Sequence, residues 1–168
     1  MATRPGTLPR RVLGVDPGSS ATGWAVIESS GSRARMVECG VVRPRGEGRA
    51  ERLADLARRL DEVVVRLAPD AAAVESAFTA RNPRSALSLA EARGVVLCVL
   101  GGRGLAVSSY SPAQVKSSVV GTGRAEKQQV VFMIVRLLAL AEDPPRDAAD
   151  AAAVALTHLH IQRFPGTR

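Results

Sequence analysis

Four carboxylates in three short stretches carry the chemistry that can be read from this chain. Asp16 sits in RVLGVDPGSSATGWAVIE, Glu75 in DAAAVESAF, and the pair Asp147 and Asp150 in PPRDAADAAAVALTHLH. Each stands where an apolar run ends or a helix begins, so folding could gather all four around one small space. Such a cluster repels itself, and its pKa values must rise unless protons or cations neutralise it. Hard divalent ions held by carboxylate oxygens are the usual remedy. Against this acidic cluster the chain carries a net charge of +7. A basic body around an acidic pocket suits an enzyme that grips a polyanion and applies metal ions to it.

The basic residues are unevenly chosen. All but two of the 23 are arginine, and the only lysines, Lys116 and Lys127, lie together in QVKSSVVGTGRAEKQQ. A compact ammonium kept twice in one segment of an arginine-rich chain points to a task that a forked guanidinium does not do, although two residues are few enough for chance. Phe78, in a chain with 3% aromatic residues, lies in AFTARNPRS beside Arg81 and Arg84. There it could stack on a base or wedge into DNA while the guanidinium groups hold phosphates, or it could fold under its own loop. His158 and His160 lie two to three turns beyond Asp150, too far along a helix for shared ligation, and are read as structural.

Each acid also has an ordinary reading. Asp16-Pro17-Gly18 is a common way to start a turn, and Glu75 could be an exposed strand end. Asp147 and Asp150 share one face of a helix at a spacing of three, where acids in a first turn suit the helix dipole without any metal. The ordinary reading does not anticipate AADAAAVALTHL, whose small side chains let a helix backbone approach a sheet closely and bring both carboxylates to the strand ends.

The elements that must position these groups follow from periodicity. Residues 11–15 and 23–28 read as a hairpin around DPGSS, and residues 34–42 as a third strand. Leu53, Leu56, Leu60, Val63, Val64 and Leu67 recur at helical spacing over residues 50–67. A short strand over residues 71–75 ends at the carboxylate of Glu75. Asn82-Pro83 opens a helix over residues 84–100, ended by Gly101 and Gly102. Its later half, GVVLCVL, is apolar all round and calls for burial on more than one side, against a second subunit or deep within the monomer. A strand over residues 105–109, a short helix capped by Ser111, and helices over residues 125–140 and 146–162 complete the chain. Antiparallel strands followed by alternating helices and strands make an α/β domain, a mixed sheet covered on both faces. Sites on such sheets lie beyond strand ends, where Asp16 and Glu75 are expected.

At 168 residues, with 46% apolar and 23% charged residues, the chain is large enough for a core without disulfides. Residues 1–10 read as a flexible basic tail and residues 11–164 as one domain. The N-terminus lacks a stretch of signal-peptide length, and the richest apolar run, VVFMIVRLLALA, is broken by Arg136, so a cytoplasmic protein without a membrane partner is expected. Cys39 and Cys98 have no metal spacing and read as reduced packing residues.

Taken together, GVDPGSSATGW, VESAFTARNPRSALSLAEARG, QVKSSVVGTGRAEKQQV and DAADAAAVALTHLH resemble, in order, the four motifs of the RuvC family of Holliday junction resolvases. The resemblance spans residues 11–160. It implies a ribonuclease H-like fold, a five-stranded mixed sheet flanked by helices on both faces, working as a homodimer. It implies that Asp16, Glu75, Asp147 and Asp150 form an acidic tetrad for two Mg2+ ions per subunit, with Mn2+ as a substitute. Lys116 and Lys127 fall on the family's basic positions near the active site, Lys127 or Lys116 countering charge in the transition state, and Phe78 on its junction-contacting aromatic. Trp24 departs from the Tyr more usual there. The implied activity is a crossover junction endodeoxyribonuclease that nicks opposing strands in pairs, leaving 5′-phosphate and 3′-hydroxyl ends, in recombination and repair. The implied partners are the four-way junction and the RuvA and RuvB branch-migration complex.

Two rivals stand beside this expectation. One is a four-way-junction-binding protein without catalysis, its acids serving as caps. The other is an actin-superfamily nucleotide-binding ATPase, because DxGxxxTG also occurs in phosphate-binding hairpins of that superfamily. That architecture needs a second such hairpin and a longer chain.

Overall fold

The structure, a computed structural model, describes residues 11–30, 33–76 and 82–163. Its elements are β1 (Arg11–Asp16), β2 (Thr22–Ser30), β3 (Arg33–Val42), α1 (Arg49–Leu67), β4 (Ala71–Glu75), α2 (Pro83–Gly102), β5 (Ala106–Tyr110), α3 (Pro112–Val120), α4 (Lys127–Leu137) and α5 (Arg146–Arg163). The five strands form one sheet in the order β3-β2-β1-β4-β5. β1, β2 and β3 pair antiparallel, whereas β1, β4 and β5 run parallel, so the sheet is mixed as expected. The expected tail, residues 1–10, lies outside the described residues.

Alternation along β1 and β2 sends side chains to two separate cores. Leu13, Val15, Trp24 and Val26 pack under α1 and α2, against Leu56, Leu60, Val64, Val96 and Leu100. Val12, Ala25 and Ile27 face α3, α4 and α5, whose contribution includes Ala151, Ala152, Ala155 and Leu159. Trp24 is 7% exposed, and its ring lies where a Cβ on Gly40 would stand, 2.8 Å from the ring carbon Cζ2. The bulkier aromatic at this position is therefore accommodated by a glycine on the neighbouring strand.

Helix boundaries follow local chemistry. α1 ends at Ala68, which takes a left-handed φ of 44° before Pro69, and the Arg66 guanidinium on its last turn binds Glu38 of β3. Asn82 caps α2 by accepting from the Ser85 N–H. That helix does not stop before Gly101 and Gly102 but runs through them, and the left-handed turn comes at Gly104, φ 71°. Ser111 and Gln114 close a reciprocal cap on α3. α4 is shorter than the periodicity predicts, covering Lys127–Leu137. Gln129 accepts from the Glu126 N–H at its start, and Ala139 turns left-handed, φ 50°, beyond its end.

α2 corrects two expectations. Of the two ways expected to cover its apolar half, deep burial within the monomer is not found: Ala92, Val96 and Leu100 are buried, while Leu87 is 62% exposed and Cys98 is exposed rather than packed. Among the described residues α2 is also the one helix long and apolar enough by composition to cross a membrane. It is an amphipathic-by-position helix, with one face in the α1 core and one apolar face outward.

Candidate active site

β1 and β4 run parallel in register, Val15 opposite Val74, so the next residues, Asp16 and Glu75, stand side by side at the same sheet end. Glu75 in turn lies opposite Tyr110 of β5. Across β1, Asp16 pairs with Gly23 of β2. Only hydrogen bears on that position, and the α5 backbone fills the space: a Cβ on Gly23 would lie 1.8 Å from the Asp147 carbonyl oxygen. One turn on, a Cβ on Gly14 would lie 2.0 Å from the Ala151 carbonyl oxygen. The first turn of α5 thus rests directly on β1 and β2, and it carries Asp147 and Asp150 to the strand end that holds Asp16 and Glu75. The close approach inferred from the alanine run is present, and Ala148, Ala149, Ala151, Ala152 and Ala153 are all fully buried.

Electrostatics bind these groups into one unit. Asp16 is pushed from 3.8 up to about 8, first by burial and then by the charges of Glu75 and Asp150, with Lys127 opposing and Asp147 adding. Burial likewise raises Glu75, reinforced by Asp150 and relieved by Lys127 and Lys116. The Lys127 ammonium stands 3.4 Å from Asp150 Oδ2. Four carboxylates and both lysines of the chain therefore feel one another at one sheet edge. Self-repelling, half-buried carboxylates call for positive charge, and an all-oxygen donor set matches hard divalent cations rather than zinc or copper. Among the described residues no group of three or more His, Cys, Asp or Glu side chains is already drawn into a cage that could hold a metal ion. The donor chemistry fits a divalent cation, and Lys127 is the counter-charge the protein itself supplies.

Phe78 and Arg81 lie outside the described residues. Arg84, on the first turn of α2, lines a groove together with Gly18, Ser19 and Ser20, the turn that follows Asp16. Both histidines serve packing. The buried His158 Nδ1 meets the Tyr110 hydroxyl at 2.8 Å, its pKa lowered by burial, and His160 Nδ1 meets Ser118 Oγ at 3.1 Å. Sequence reasoning overlooked Gly14 and Gly23. Glycine within a strand weakens it and commonly marks close approach of another backbone, a signal that was there to be read.

Known proteins share this sequence and this fold. The profile of the family described as crossover junction endodeoxyribonuclease RuvC matches residues 12–158. The chain is 52% identical to crossover junction endodeoxyribonuclease RuvC of Azorhizobium caulinodans over 151 residues, 89% of each chain. It is 45% identical to the protein of that name from Oleidesulfovibrio alaskensis over 153 residues, 91% of this chain and 92% of the relative. The solved structure of Thermus thermophilus RuvC superposes with a TM-score of 0.83 at 37% identity, covering 92% of this chain and 96% of that one. The same protein in complex with Holliday junction substrate gives the same TM-score at 34% identity. The ribonuclease H-like resolvase architecture is thus present over nearly the whole molecule, and this chain belongs to the RuvC family of crossover junction endodeoxyribonucleases.

Proposed function

We propose that residues 11–164 form one nuclease domain that resolves four-way DNA junctions, with Asp16, Glu75, Asp147 and Asp150 as its metal-holding acids. The observation that carries the reading is the convergence of the four carboxylates at one sheet end, where Asp16 is raised to about 8 by burial and by its acidic neighbours. A proton is the alternative to a cation at that pKa, so divalent ions and protons compete for the site. Two Mg2+ ions per subunit, or Mn2+ in their place, would supply Lewis-acid stabilisation and an activated water.

The chain's own groups divide the remaining work. Asp16 and Glu75, on adjacent strands, form a rigid base, and Asp147 and Asp150 close over it from α5. Lys127, already beside Asp150, offers an ammonium to charge growing on a phosphate oxygen, and Lys116 adds field from α3. Phe78, Arg81 and Arg84 follow Glu75 in the chain and contact the junction. A homodimer would present two such sites to opposite strands of a twofold substrate. The outward apolar face of α2, with Leu87 exposed and Val95, Leu97 and Val99 half-buried, supports that assembly. Paired nicks would leave 5′-phosphate and 3′-hydroxyl ends, in the cytoplasm, downstream of the RuvA and RuvB branch-migration complex.

The test is cleavage of an end-labelled four-way junction with a mobile core, in Mg2+, Mn2+ or chelator, beside linear duplex and the Asp16→Asn protein. Paired nicks on opposing strands are expected only with metal, only on the junction and only in the wild type. Junction binding without cutting under every metal would establish the non-catalytic binding protein instead.

A further inference from the structure

Two sets of arginines in this protein stand in contrast. On the flank away from the acids they are tied down: Arg11 and Arg35 to Glu28, Arg58 to Asp55 and Glu62, Arg66 to Glu38, and Arg103 to Asp61. Where α1 and α2 begin, a groove of about 430 Å³ is lined by Arg49, Arg52 and Arg84 against one carboxylate, Glu91. Glu91 is already engaged, accepting from Arg49 Nε at 2.6 Å, and Arg49 also donates to the Ser88 carbonyl at 2.5 Å. That pair staples α1 to α2 and forms the floor of the groove. Arg52 and Arg84 are exposed, and among the described residues neither guanidinium group has a hydrogen bond or ion pair. Arg43 and Arg45, also exposed, flank Pro44, another lining residue.

Unpaired guanidinium groups gathered along one concavity repel each other, and an anionic ligand relieves the repulsion. The opposite wall identifies which anion. It is the Gly18-Ser19-Ser20 turn, which begins two residues after Asp16, so whatever fills the groove continues into the acid cluster. A free phosphate would not use that continuity, whereas a polynucleotide strand with one phosphodiester at Asp16 would run straight along it. Guanidinium forks and serine hydroxyls are the groups that hold phosphate oxygens without reading sequence.

We propose that the groove between the starts of α1 and α2 is a second phosphate-binding track, in which Arg52 and Arg84 hold the DNA backbone of a junction arm a few nucleotides from the scissile phosphate. The assignment rests on the junction-resolving reading above and adds to it a specific path for the strand leaving the active site. Arg52 is the residue that decides it, being outside every motif that pointed to DNA.

The experiment measures junction affinity against salt in the Asp16→Asn background, where binding is read without cutting. Each phosphate contact contributes a slope of about 0.9 in log K against log salt, so Arg52→Ala with Arg84→Ala should flatten the slope by about 2 and Arg52→Ala alone by about 1. Arg33→Ala, an exposed arginine at the opposite sheet end, should leave it unchanged. Phosphate ethylation that blocks the parent protein near the cleavage point should cease to matter in the double variant. An unchanged slope in the double variant, or an equal change from Arg33→Ala, would overturn the track. A wild-type protein that neither binds nor cuts junctions would instead overturn the resolvase reading itself.

Discussion

The two faces of the sheet are built on opposite plans. Under α1 and α2 the contact is made by large side chains, Leu13, Val15, Trp24, Leu56, Leu60 and Leu100, which interdigitate and can repack. Under α5 the side chains shrink to alanine and, at Gly14 and Gly23, to hydrogen, so that helix backbone lies on strand backbone. Side chains have rotamers to absorb an error, whereas two backbones in contact have none. The face without slack is the one that delivers Asp147 and Asp150, which shows that precision at the acid cluster is obtained by removing side chains rather than by adding contacts.

Substitutions can break or sharpen this contrast, the largest effect coming from the rigid face. Gly23→Ala puts a methyl 1.8 Å from the Asp147 carbonyl oxygen, which no rotamer can relieve. We expect a loss of more than about 4 kcal/mol in urea unfolding. In whatever protein remains folded, junction cleavage should fall roughly 100-fold, because α5 must shift by a good part of an ångström. Near wild-type stability and cleavage would mean that this face yields as readily as the other.

On the yielding face, Leu60 is fully buried, and Leu60→Ala should cost about 3 kcal/mol from lost transfer energy and the cavity left behind. Cleavage by the folded fraction at low temperature should stay within about threefold of the wild type, since no acid hangs on that contact. A large loss of cleavage at full occupancy of the folded state would couple α1 to the site and erase the contrast.

Asp16 sharpens it through pH. The folded state holds this proton up to about pH 8, whereas the unfolded chain releases it near 3.8. Stability from this group is therefore complete below pH 3.8 and is lost as pH rises toward 8, with a slope no steeper than about 1.4 kcal/mol per pH unit. In chelator, Asp16→Asn should gain on the wild type across that window, on the order of 2 kcal/mol in all after relaxation. Saturating Mg2+ should narrow the gap by stabilising the wild type alone. A gap independent of pH in thermal unfolding from pH 5 to 9 would contradict the buried, mutually repelling arrangement.

The smallest effect is expected at the polar pin under α5. Tyr110→Phe removes the hydroxyl that meets His158 Nδ1 at 2.8 Å in a buried setting, which should cost about 1 kcal/mol. No measurable change in the unfolding midpoint would show that His158 finds another partner at no cost.

What the sequence determined by itself was local. Apolar alternation and helical spacing located every strand and helix of the described chain to within a few residues. The capping residues Asn82 and Ser111 marked two helix starts, and the four acids stood at recognisable element ends. The errors also had local causes: Gly101 and Gly102 were read as a stop although the left-handed turn falls at Gly104, and α4 ends at Leu137, ahead of the left-handed Ala139. For the all-apolar stretch of α2, burial deep within the monomer and cover by a second subunit both stood open, because periodicity cannot distinguish a face hidden in the chain from one left outward. What only the tertiary structure decided was distance. Asp16 and Asp147 are 131 positions apart by their numbers, and they share a field only because two strand glycines let α5 descend onto the sheet. The same packing left the Arg52 and Arg84 guanidinium groups without partners while tying Arg66 to Glu38 and Arg103 to Asp61. Charge pairing and repulsion depend on separation in space, which is fixed by how the layers stack and not by residue type or spacing along the chain.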